Sequence, residues 1–168
     1  MQNKELEKEF LFFKKLYEYK VKYLLIGRQA CIIYGLPLYT FDYDIAVDNS
    51  EDNLEKIFMI AEELDLYPTK DKQEILNKKV FVFSLQNDIK IDVFCAKRYQ
   101  TKDKKFIDFL EVFNRRLIKR DRKYGLVFYI PTIDDLINFK KINPDTKDLE
   151  DIKALKKIKD AYYKRRKD

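Results

Sequence analysis

The sequence predicts an α+β fold: a mixed β-sheet of about four to five strands, flanked by helices and followed by C-terminal helices. Two observations predict it. Stretches with helical spacing of apolar residues alternate with short β-rich runs along the 168 residues. Two of those runs, 80–85 and 89–94, are joined by Gln86-Asn87-Asp88, which is typical of a hairpin. The strands of a hairpin are antiparallel neighbours, and runs separated by helices add the remaining strands.

The first elements are a helix, a buried strand and a short second helix. Residues 3–20 have helical spacing, and the apolar positions predicted to face the core are Leu6, Phe10, Phe13 and Tyr17. The apolar run 21–26 predicts a buried strand that ends at Gly27. Residues 28–34 then predict a short helix, because Gly35 and Pro37 follow it and favour a helix end.

The middle of the chain adds a strand and a helix before the hairpin. Residues 43–48 predict a strand with Ile45 and Val47 on one face. The positions on its other face are Asp42, Asp44 and Ala46. Residues 53–64 predict a helix, whose apolar stripe is Leu54, Ile57, Phe58, Ala61 and Leu64.

Helices dominate the prediction for the end of the chain. Helical spacing returns over 106–117, and a strand-like run over 126–130 ends at a proline. Two helices are predicted at about 132–141 and 146–163. A chain of this length can bury one core, so we expect a single domain over 1–168. Its core would span about 21–130, and a C-terminal helical part about 131–165.

Composition limits the cellular setting. Apolar residues make up 46% of the chain, but no run approaches the roughly 20 residues that a membrane-spanning helix needs. Residues 1–9 lack the pattern of a secretory signal, so we expect a cytoplasmic protein with no membrane partner. The two cysteines, Cys31 and Cys95, lie in apolar stretches and are expected to be buried thiols.

The chain has no histidine, and this excludes several kinds of catalytic site. Ser-His-Asp and Cys-His nucleophiles, His-ligated zinc and an imidazole general base are all ruled out. An enzyme with this sequence would rely on carboxylates, lysines, arginines, hydroxyls or a metal ion. A metal held by oxygen ligands alone points to Mg²⁺ or Mn²⁺.

Two aspartates, Asp42 and Asp44, are the most informative pair in the sequence. Residues two apart on a strand share a face, with Cα atoms roughly 6.5 Å apart, so both carboxylates could reach the same metal ions. Such a pair suits ions that act on the attacking and leaving oxygens of a phosphoryl transfer. The alternative is a pair of acids in a solvated loop.

Asp92 is a third acid that interrupts a strand-like run. Ile89, Ile91 and Val93 alternate on one face of 89–94, so Asp92 faces the opposite way. Aspartate is disfavoured in strands, and either of two roles would account for it. It could lie on a half-exposed sheet face, or it could be a third metal ligand that also accepts the proton of an attacking hydroxyl.

Gly27 joins a buried strand to a helix. A glycine there lets backbone N–H groups approach an anion at the positive end of the helix. The chain has only three glycines, and two of them, Gly27 and Gly35, bracket this short helix. The sequence therefore predicts an anion, such as a phosphate, near Gly27.

The order of these motifs resembles the DNA-polymerase-beta-like nucleotidyltransferase superfamily. The matching segments are Leu25-Ile26-Gly27-Arg28-Gln29-Ala30, Tyr34-Gly35-Leu36-Pro37, Thr40-Phe41-Asp42-Tyr43-Asp44 and Lys90-Ile91-Asp92-Val93. The end of the chain is similar to small toxin-type and abortive-infection-type members, in Asp134-Asp135-Leu136-Ile137-Asn138-Phe139-Lys140 and Lys147-Asp148-Leu149-Glu150-Asp151-Ile152. The resemblance covers residues 21–152.

The resemblance implies a nucleoside triphosphate donor, release of pyrophosphate, and transfer of a nucleoside monophosphate to a hydroxyl. Asp42 and Asp44 would then bind two metal ions, and Asp92 would bind one and activate the acceptor. Gly27 would contact the triphosphate and Lys140 a phosphate. The C-terminal motif would be completed by Asp148 or Asp151, although either acid could instead cap a helix.

The chain departs from the superfamily pattern at the phosphate contacts. Arg28 stands where the superfamily has glycine or serine, and its guanidinium could grip phosphate oxygens or block the site. Asp145 stands where many relatives have arginine. The alternative to an active enzyme is therefore a catalytically degenerate protein of the same fold that binds nucleotide or nucleic acid.

Partner predictions come from charge and aromatic residues. The segment 97–123 holds eleven Lys/Arg against four Asp/Glu, which predicts either an RNA or protein acceptor site or an ordinary solvated surface. An antitoxin partner is implied only by the resemblance. Tyr34, Tyr39 and Tyr43 could stack on the donor base or pack in the core.

Overall fold

The structure is a computed structural model that describes residues 6–167. Its helices are α1 Lys8–Glu18, α2 Gly27–Ile33, α3 Glu51–Glu63, α4 Lys72–Leu76, α5 Phe109–Asn114, α6 Ile133–Lys140 and α7 Thr146–Lys167. Its strands are β1 Tyr23–Ile26, β2 Tyr43–Val47, β3 Tyr67–Pro68, β4 Val82–Asn87, β5 Ile89–Phe94, β6 Arg98–Gln100, β7 Phe106–Asp108, β8 Leu117–Arg120 and β9 Val127–Ile130. The predicted α+β class is confirmed.

A five-stranded mixed sheet forms the centre of the fold, with strand order β1-β2-β5-β4-β3. β2 and β5 are parallel, and the other neighbouring pairs are antiparallel. The predicted hairpin of β4 and β5 is confirmed, and its turn is Asp88 at φ 63°. The parallel pair places two distant segments side by side in the middle of the sheet.

Each face of the sheet is covered by helices, and the alternation of β2 follows the prediction. Ile45 and Val47 join the cluster of buried residues that contains α1 and α3. Ala46 joins the opposite cluster, which contains residues of α2, α5, α6 and α7. Asp44 shares the face of Ala46 because side chains alternate along a strand, so it lies on the side of α2, α6 and α7.

The prediction of one helix over 106–117 was wrong. Phe106–Asp108 forms β7, which pairs with β6, and only Phe109–Asn114 is helical. The side chain of Asp108 accepts a hydrogen bond from the backbone N–H of Glu111, so it caps the helix and ends the strand. Leu117 then starts β8, which pairs with β9. Antiparallel pairing with the neighbouring strands overrode the helical spacing at both ends of the segment.

The buried side of the first helix agrees with the prediction at Phe13 but not at Tyr17. Phe12, Phe13 and Leu16 are buried, whereas Tyr17 is exposed. The predicted start at residues 3–5 lies outside the described residues. Core contacts with the sheet, rather than the spacing of aromatic residues alone, select the buried side. Within residues 6–167, every helix is too short or too polar to cross a membrane.

Candidate active site

One row of residues crosses four strands of the central sheet. Ile26 on β1 is the partner of Asp44 on β2, Asp44 is the partner of Asp92 on β5, and Asp92 is the partner of Ser84 on β4. The parallel register of β2 and β5 therefore places two of the predicted acids next to each other. Their proximity follows from backbone pairing and does not depend on loop conformation.

The electrostatics of Asp44 reflect this placement. Burial raises the pKa of Asp44 to about 7, helped by the charge of Asp92, by a hydrogen bond between the two carboxyl groups, and by the charge of Asp42. The nearby ammonium of Lys140 acts in the opposite direction. Two carboxylates this close repel each other unless a proton or a cation lies between them. The pair is therefore a place where a positive charge is favoured.

The other two acids differ in their surroundings. The hydroxyl of Ser84 donates to Asp92 Oδ1 at 2.5 Å, and Lys90 Nζ lies 3.8 Å from the same oxygen. Asp42 precedes β2 and is exposed. Among residues 6–167, no three His, Cys, Asp or Glu side chains lie close enough together to hold a metal ion as a group. The structure thus brings Asp44 and Asp92 together and leaves Asp42 at the rim.

Gly27 lies directly against Asp44. Its φ of +70° is a conformation that favours glycine, and an added Cβ would collide with Asp44 Oδ2 and lie 3.1 Å from Asp44 Cγ. Glycine is required here for two independent reasons, the backbone angle and the space that the carboxylate occupies. The turn and the carboxylate pair therefore form one structural unit.

Arg28 and Lys140 share one buried partner. Arg28 Nε and Nη2 lie 3.3 and 3.4 Å from the two carboxylate oxygens of Asp151, and Lys140 Nζ donates to Asp151 Oδ2 at 3.1 Å. The side chains of Lys140 and Asp151 are each 4% exposed, whereas that of Arg28 is 28% exposed. The three side chains tie the start of α2 to α6 and α7.

Asp148 caps a helix, which was one of its two predicted roles. Its carboxylate accepts from the backbone N–H of Asp145, and Asp145 Oδ1 accepts from the backbone N–H of Asp148. This reciprocal pair is a capping box at the start of α7. Asp148 also lies 3.6 Å from Lys140 Nζ, so it borders the same cation. Asp151 has no such capping contact and serves the buried ion pairs.

Two cavities meet at these residues, and Gly27, Asp44, Lys140 and Asp148 line both of them. The first encloses about 300 Å³ and is polar, and its other lining residues are Arg28, Tyr39, Thr40, Asp42, Asp145 and Lys147. The second encloses about 520 Å³, and its apolar lining is Ile26, Phe81, Val82, Phe94, Tyr99, Phe139 and Ile142. A charged ligand and an apolar one could thus meet at Asp44.

The structure distinguishes the surroundings of the three tyrosines for which the sequence allowed either base stacking or core packing. The hydroxyl of Tyr34 donates to the carbonyl of Pro131, and the ring of Tyr43 packs against Phe13. Both are packing residues. Tyr39 is 76% exposed and lines the polar cavity, so it alone of the three can contact a ligand there.

Sequence reasoning missed Ser84 as a neighbour of the site, although a signal existed. With the hairpin turn at Asp88, residues four positions before and after the turn are partners, and these are Ser84 and Asp92. The buried thiols were predicted correctly, and burial raises the pKa of both Cys31 and Cys95 to about 11. Neither is a thiolate nucleophile near neutral pH.

The basic segment 97–123 is divided among several elements. Arg115 pairs with Asp135, and the guanidinium of Arg116 lies 3.9 Å from the ring centroid of Phe113 and 4.5 Å from that of Tyr129. These two arginines therefore have structural roles. Exposed cations remain on β6, on the loop before β7 and on β8, among them Arg98, Lys102, Lys104, Lys105, Lys119 and Arg120.

No protein-family model and no curated protein matches this sequence. Solved structures do match its fold. A Thermotoga maritima protein provisionally described as a nucleotidyltransferase superposes with a TM-score of 0.54 at 17% identity, covering 98% of this chain and 95% of that one.

The antibiotic-resistance factor ANT(2″)-Ia is similar as well. Its solution structure gives a TM-score of 0.53 at 11% identity, over 94% of this chain and 90% of that one. Its crystal structure in complex with adenylyl-2″-tobramycin gives 0.50 at 12% identity, over 92% and 94%. The architecture of this chain is the nucleotidyltransferase fold.

Proposed function

We propose that this protein is a divalent-metal-dependent nucleotidyltransferase. It transfers a nucleoside monophosphate from a nucleoside triphosphate to a hydroxyl on RNA or protein. The observation that carries the proposal is the register of β2 and β5, which makes Asp44 and Asp92 neighbours directly beside the Gly27 turn. Phosphoryl transfer needs little covalent chemistry from a protein, and its main requirements are positioning and charge stabilisation.

The residues at this site fit Mg²⁺ or Mn²⁺. All candidate ligands are carboxylates, and the raised pKa of Asp44 marks a pair that favours a cation. Mg²⁺ is usually held by one or two carboxylates together with substrate phosphates, so the adjacent pair is sufficient as the protein's share. Asp44 and Asp92 would hold the metal, with Asp42 joining them from the rim. The metal would neutralise charge that develops on the transferred phosphate.

The residues around the polar cavity would bind the triphosphate during the transfer. Gly27 leaves room for the carboxylate and for phosphate, and Arg28, Lys140 and Lys147 line the polar cavity where a triphosphate would bind. In the transfer, the acceptor oxygen bonds to the α-phosphorus while the bond from that phosphorus to the bridging oxygen breaks. Pyrophosphate leaves, and the hydroxyl proton passes to Asp92.

An RNA acceptor is favoured by the exposed cations of segment 97–123. Lys102 lies close to a residue of the apolar cavity, because its backbone N–H donates to the carbonyl of Lys141, which directly precedes the cavity residue Ile142. A polyanionic backbone would find positive charge there. A toxin or defence setting, with a cognate antitoxin, is the part of the proposal that rests on the sequence resemblance.

The experiment is a transfer assay with an α-labelled nucleoside triphosphate, Mg²⁺, and whole-cell RNA or protein as acceptor. The wild type should transfer label, EDTA should abolish transfer, and Asp44→Asn should reduce the rate by roughly a thousandfold or more. Asp52→Asn, which changes an exposed acid in the first turn of α3, is the matched control and should remain active. Undiminished transfer by a folded Asp44→Asn variant would contradict the proposal.

A second candidate is a non-catalytic protein of the same fold that binds nucleotide. It is favoured by the lack of a three-acid group within residues 6–167 and by Arg28, which Asp151 already engages. Thermal-shift measurements with triphosphates and Mg²⁺ would then show stabilisation without release of pyrophosphate. Turnover that depends on Asp44 would exclude this candidate.

A further inference from the structure

Two exposed aromatic residues, Tyr39 and Phe41, lie just before Asp42 in the chain. Tyr39 is 76% exposed and Phe41 is 78% exposed. Their ring centroids are 4.9 Å apart with an interplanar angle of 78°, so they contact each other edge to face. Large aromatic side chains are usually packed away from water. Two that are exposed together beside a candidate active site indicate a surface that could bind a ligand.

The loop that carries this pair is held in place by its neighbours. Gln29 Nε2 donates to the carbonyl of Thr40 at 3.1 Å, and the backbone N–H of Asp42 donates to Thr40 Oγ1 at 3.2 Å. Leu36 anchors the start of the loop in the core. The two rings are therefore presented from a fixed backbone, although their own side chains are in solvent.

We propose that Tyr39 and Phe41 form the stacking surface for the base of the donor nucleotide, an inference that rests on the proposed function. Tyr39 lines the same polar cavity as Arg28, Lys140 and Lys147. These three cations complement a triphosphate, and an aromatic ring at the edge of the same cavity complements the base of the same molecule. Phe41 does not line this cavity, and its part is to support the Tyr39 ring edge to face.

This placement leaves the apolar cavity to the acceptor. The exposed ring of Phe81 lines that second cavity and not the polar one, although Asp44 lines both. Stacking on an aromatic ring tolerates every base, because each has a π-face. We therefore expect a donor site that accepts all four nucleotides and prefers purines, which offer the larger stacking area.

Titration calorimetry with Mg²⁺ and the α,β-methylene analogue of ATP tests the inference. Tyr39→Ala should weaken binding of the analogue by roughly tenfold. Tyr39→Phe should bind as the wild type does, because the ring is kept. Inorganic tripolyphosphate, which has no base, should bind the wild type and Tyr39→Ala equally. The preference for the ATP analogue over the corresponding CTP analogue should fall in Tyr39→Ala.

Two further variants serve as controls: one removes an exposed aromatic ring elsewhere on the surface, and the other removes a ring from the apolar cavity. Tyr67→Ala removes another exposed tyrosine, 63% exposed on β3, and should leave analogue binding unchanged. Phe81→Ala probes the apolar cavity and should also leave donor binding unchanged. If Phe81→Ala weakens analogue binding and Tyr39→Ala leaves it unchanged, the inference is overturned and the base binds in the apolar cavity.

The failure of this inference differs from the failure of the proposed function. If the wild type binds both the analogue and tripolyphosphate, and Tyr39→Ala binds both equally well, the stacking surface is wrong and the triphosphate site stands. If the wild type binds neither ligand in the presence of Mg²⁺, the proposed function itself is wrong, and the stacking surface is rejected with it.

Discussion

The candidate site has a carboxylate side, formed by Asp44 and Asp92, and a cationic side, formed by Arg28 and Lys140. The charges on the two sides differ in whether they are balanced within the protein. On the carboxylate side, Asp44 and Asp92 face each other from neighbouring strands, and the pKa of Asp44 is raised to about 7. On the cationic side, Arg28 and Lys140 both contact Asp151. The first set of charges is mutually repulsive, and the second is already paired within the protein.

This difference indicates which charges are stabilised by contacts within the protein and which would be stabilised by a bound proton or cation. Buried carboxylates that repel each other are costly to ionise together, so a proton or a bound cation would stabilise this pair. The paired cations are stabilised by Asp151 within the protein, and their arrangement therefore has a structural role. Four predictions test this contrast, from the largest expected effect to the smallest.

The largest effect is expected on the cationic side. Asp151→Asn should lower the free energy of unfolding by about 3–5 kcal/mol, because it removes the buried carboxylate that Lys140 and Arg28 share and leaves only the less buried Asp148 beside the Lys140 ammonium. Chemical denaturation measures this change. Glu18→Gln removes the exposed pair with Lys14 at 4.0 Å and should cost less than about 0.5 kcal/mol. Equal losses in the two variants would contradict the paired state of the cationic side.

On the carboxylate side, stability should depend on pH through Asp44. Its pKa is about 7 in the folded protein against an ordinary value of 3.8, so the folded state keeps a proton that the unfolded state releases between these values. Stability from this group is therefore complete below about pH 4 and is lost as the pH rises through 7, by about 2–4 kcal/mol. Denaturation curves from pH 4 to 8 measure it.

Asp44→Asn should remove this pH dependence, and Asp52→Asn should keep it. Mg²⁺ added to the wild type at pH 8 should restore stability, because a cation replaces the missing proton. A variant Asp44→Asn with the same pH profile as the wild type would show that the folded state does not raise the pKa of Asp44.

A substitution in the Gly27 turn should have a smaller effect on the free energy of unfolding, and Gly125 offers a matched control. Gly27→Ala should destabilise the fold by about 1–3 kcal/mol more than Gly125→Ala does. Both glycines have positive φ, +70° and +68°, but only the Cβ at Gly27 meets Asp44, whereas that at Gly125 meets no atom within 4 Å. The difference in unfolding free energy isolates the collision. Equal losses would mean that Asp44 moves aside freely.

The smallest effect is expected at the capping box of α7. Asp145→Ala should cost about 1 kcal/mol, since it removes the side-chain acceptor for the backbone N–H of Asp148. Thermal unfolding measures it. Asp160→Ala, at an exposed position in the same helix, is the control and should change stability by less than about 0.5 kcal/mol. A negligible loss for Asp145→Ala would show that α7 needs no cap.

The sequence was most informative where local pattern and tertiary structure agree. The strand alternation of 43–48 placed Asp44 opposite Ile45 and Val47, and the structure confirms those two faces. The turn residues before Ile89 predicted the hairpin, and it formed as expected. Local rules work here because a strand's faces and a tight turn depend on residues that are close in the chain.

Prediction failed where the local pattern suited a helix but neighbouring strands paired, and where a residue's partner lies far along the chain. The spacing over 106–117 suits a helix, yet Phe106 pairs with Gln100 and Leu117 pairs with Ile130. Arg28 was expected either to grip a phosphate or to block the site, and its partner Asp151 lies 123 residues away. No local pattern encodes such a pairing, because it depends on how helices pack across the sheet.

By itself, the sequence determined the α+β class, the two faces of the strand that carries Asp44, and the exclusion of all histidine chemistry. The tertiary structure alone decided that Asp44 and Asp92 are neighbours, that Asp151 holds two cations, and that Tyr39 rather than Tyr34 or Tyr43 is exposed at the site. Alternation and composition are properties of the local chain. Strand order, register and burial result from packing the whole chain around one sheet.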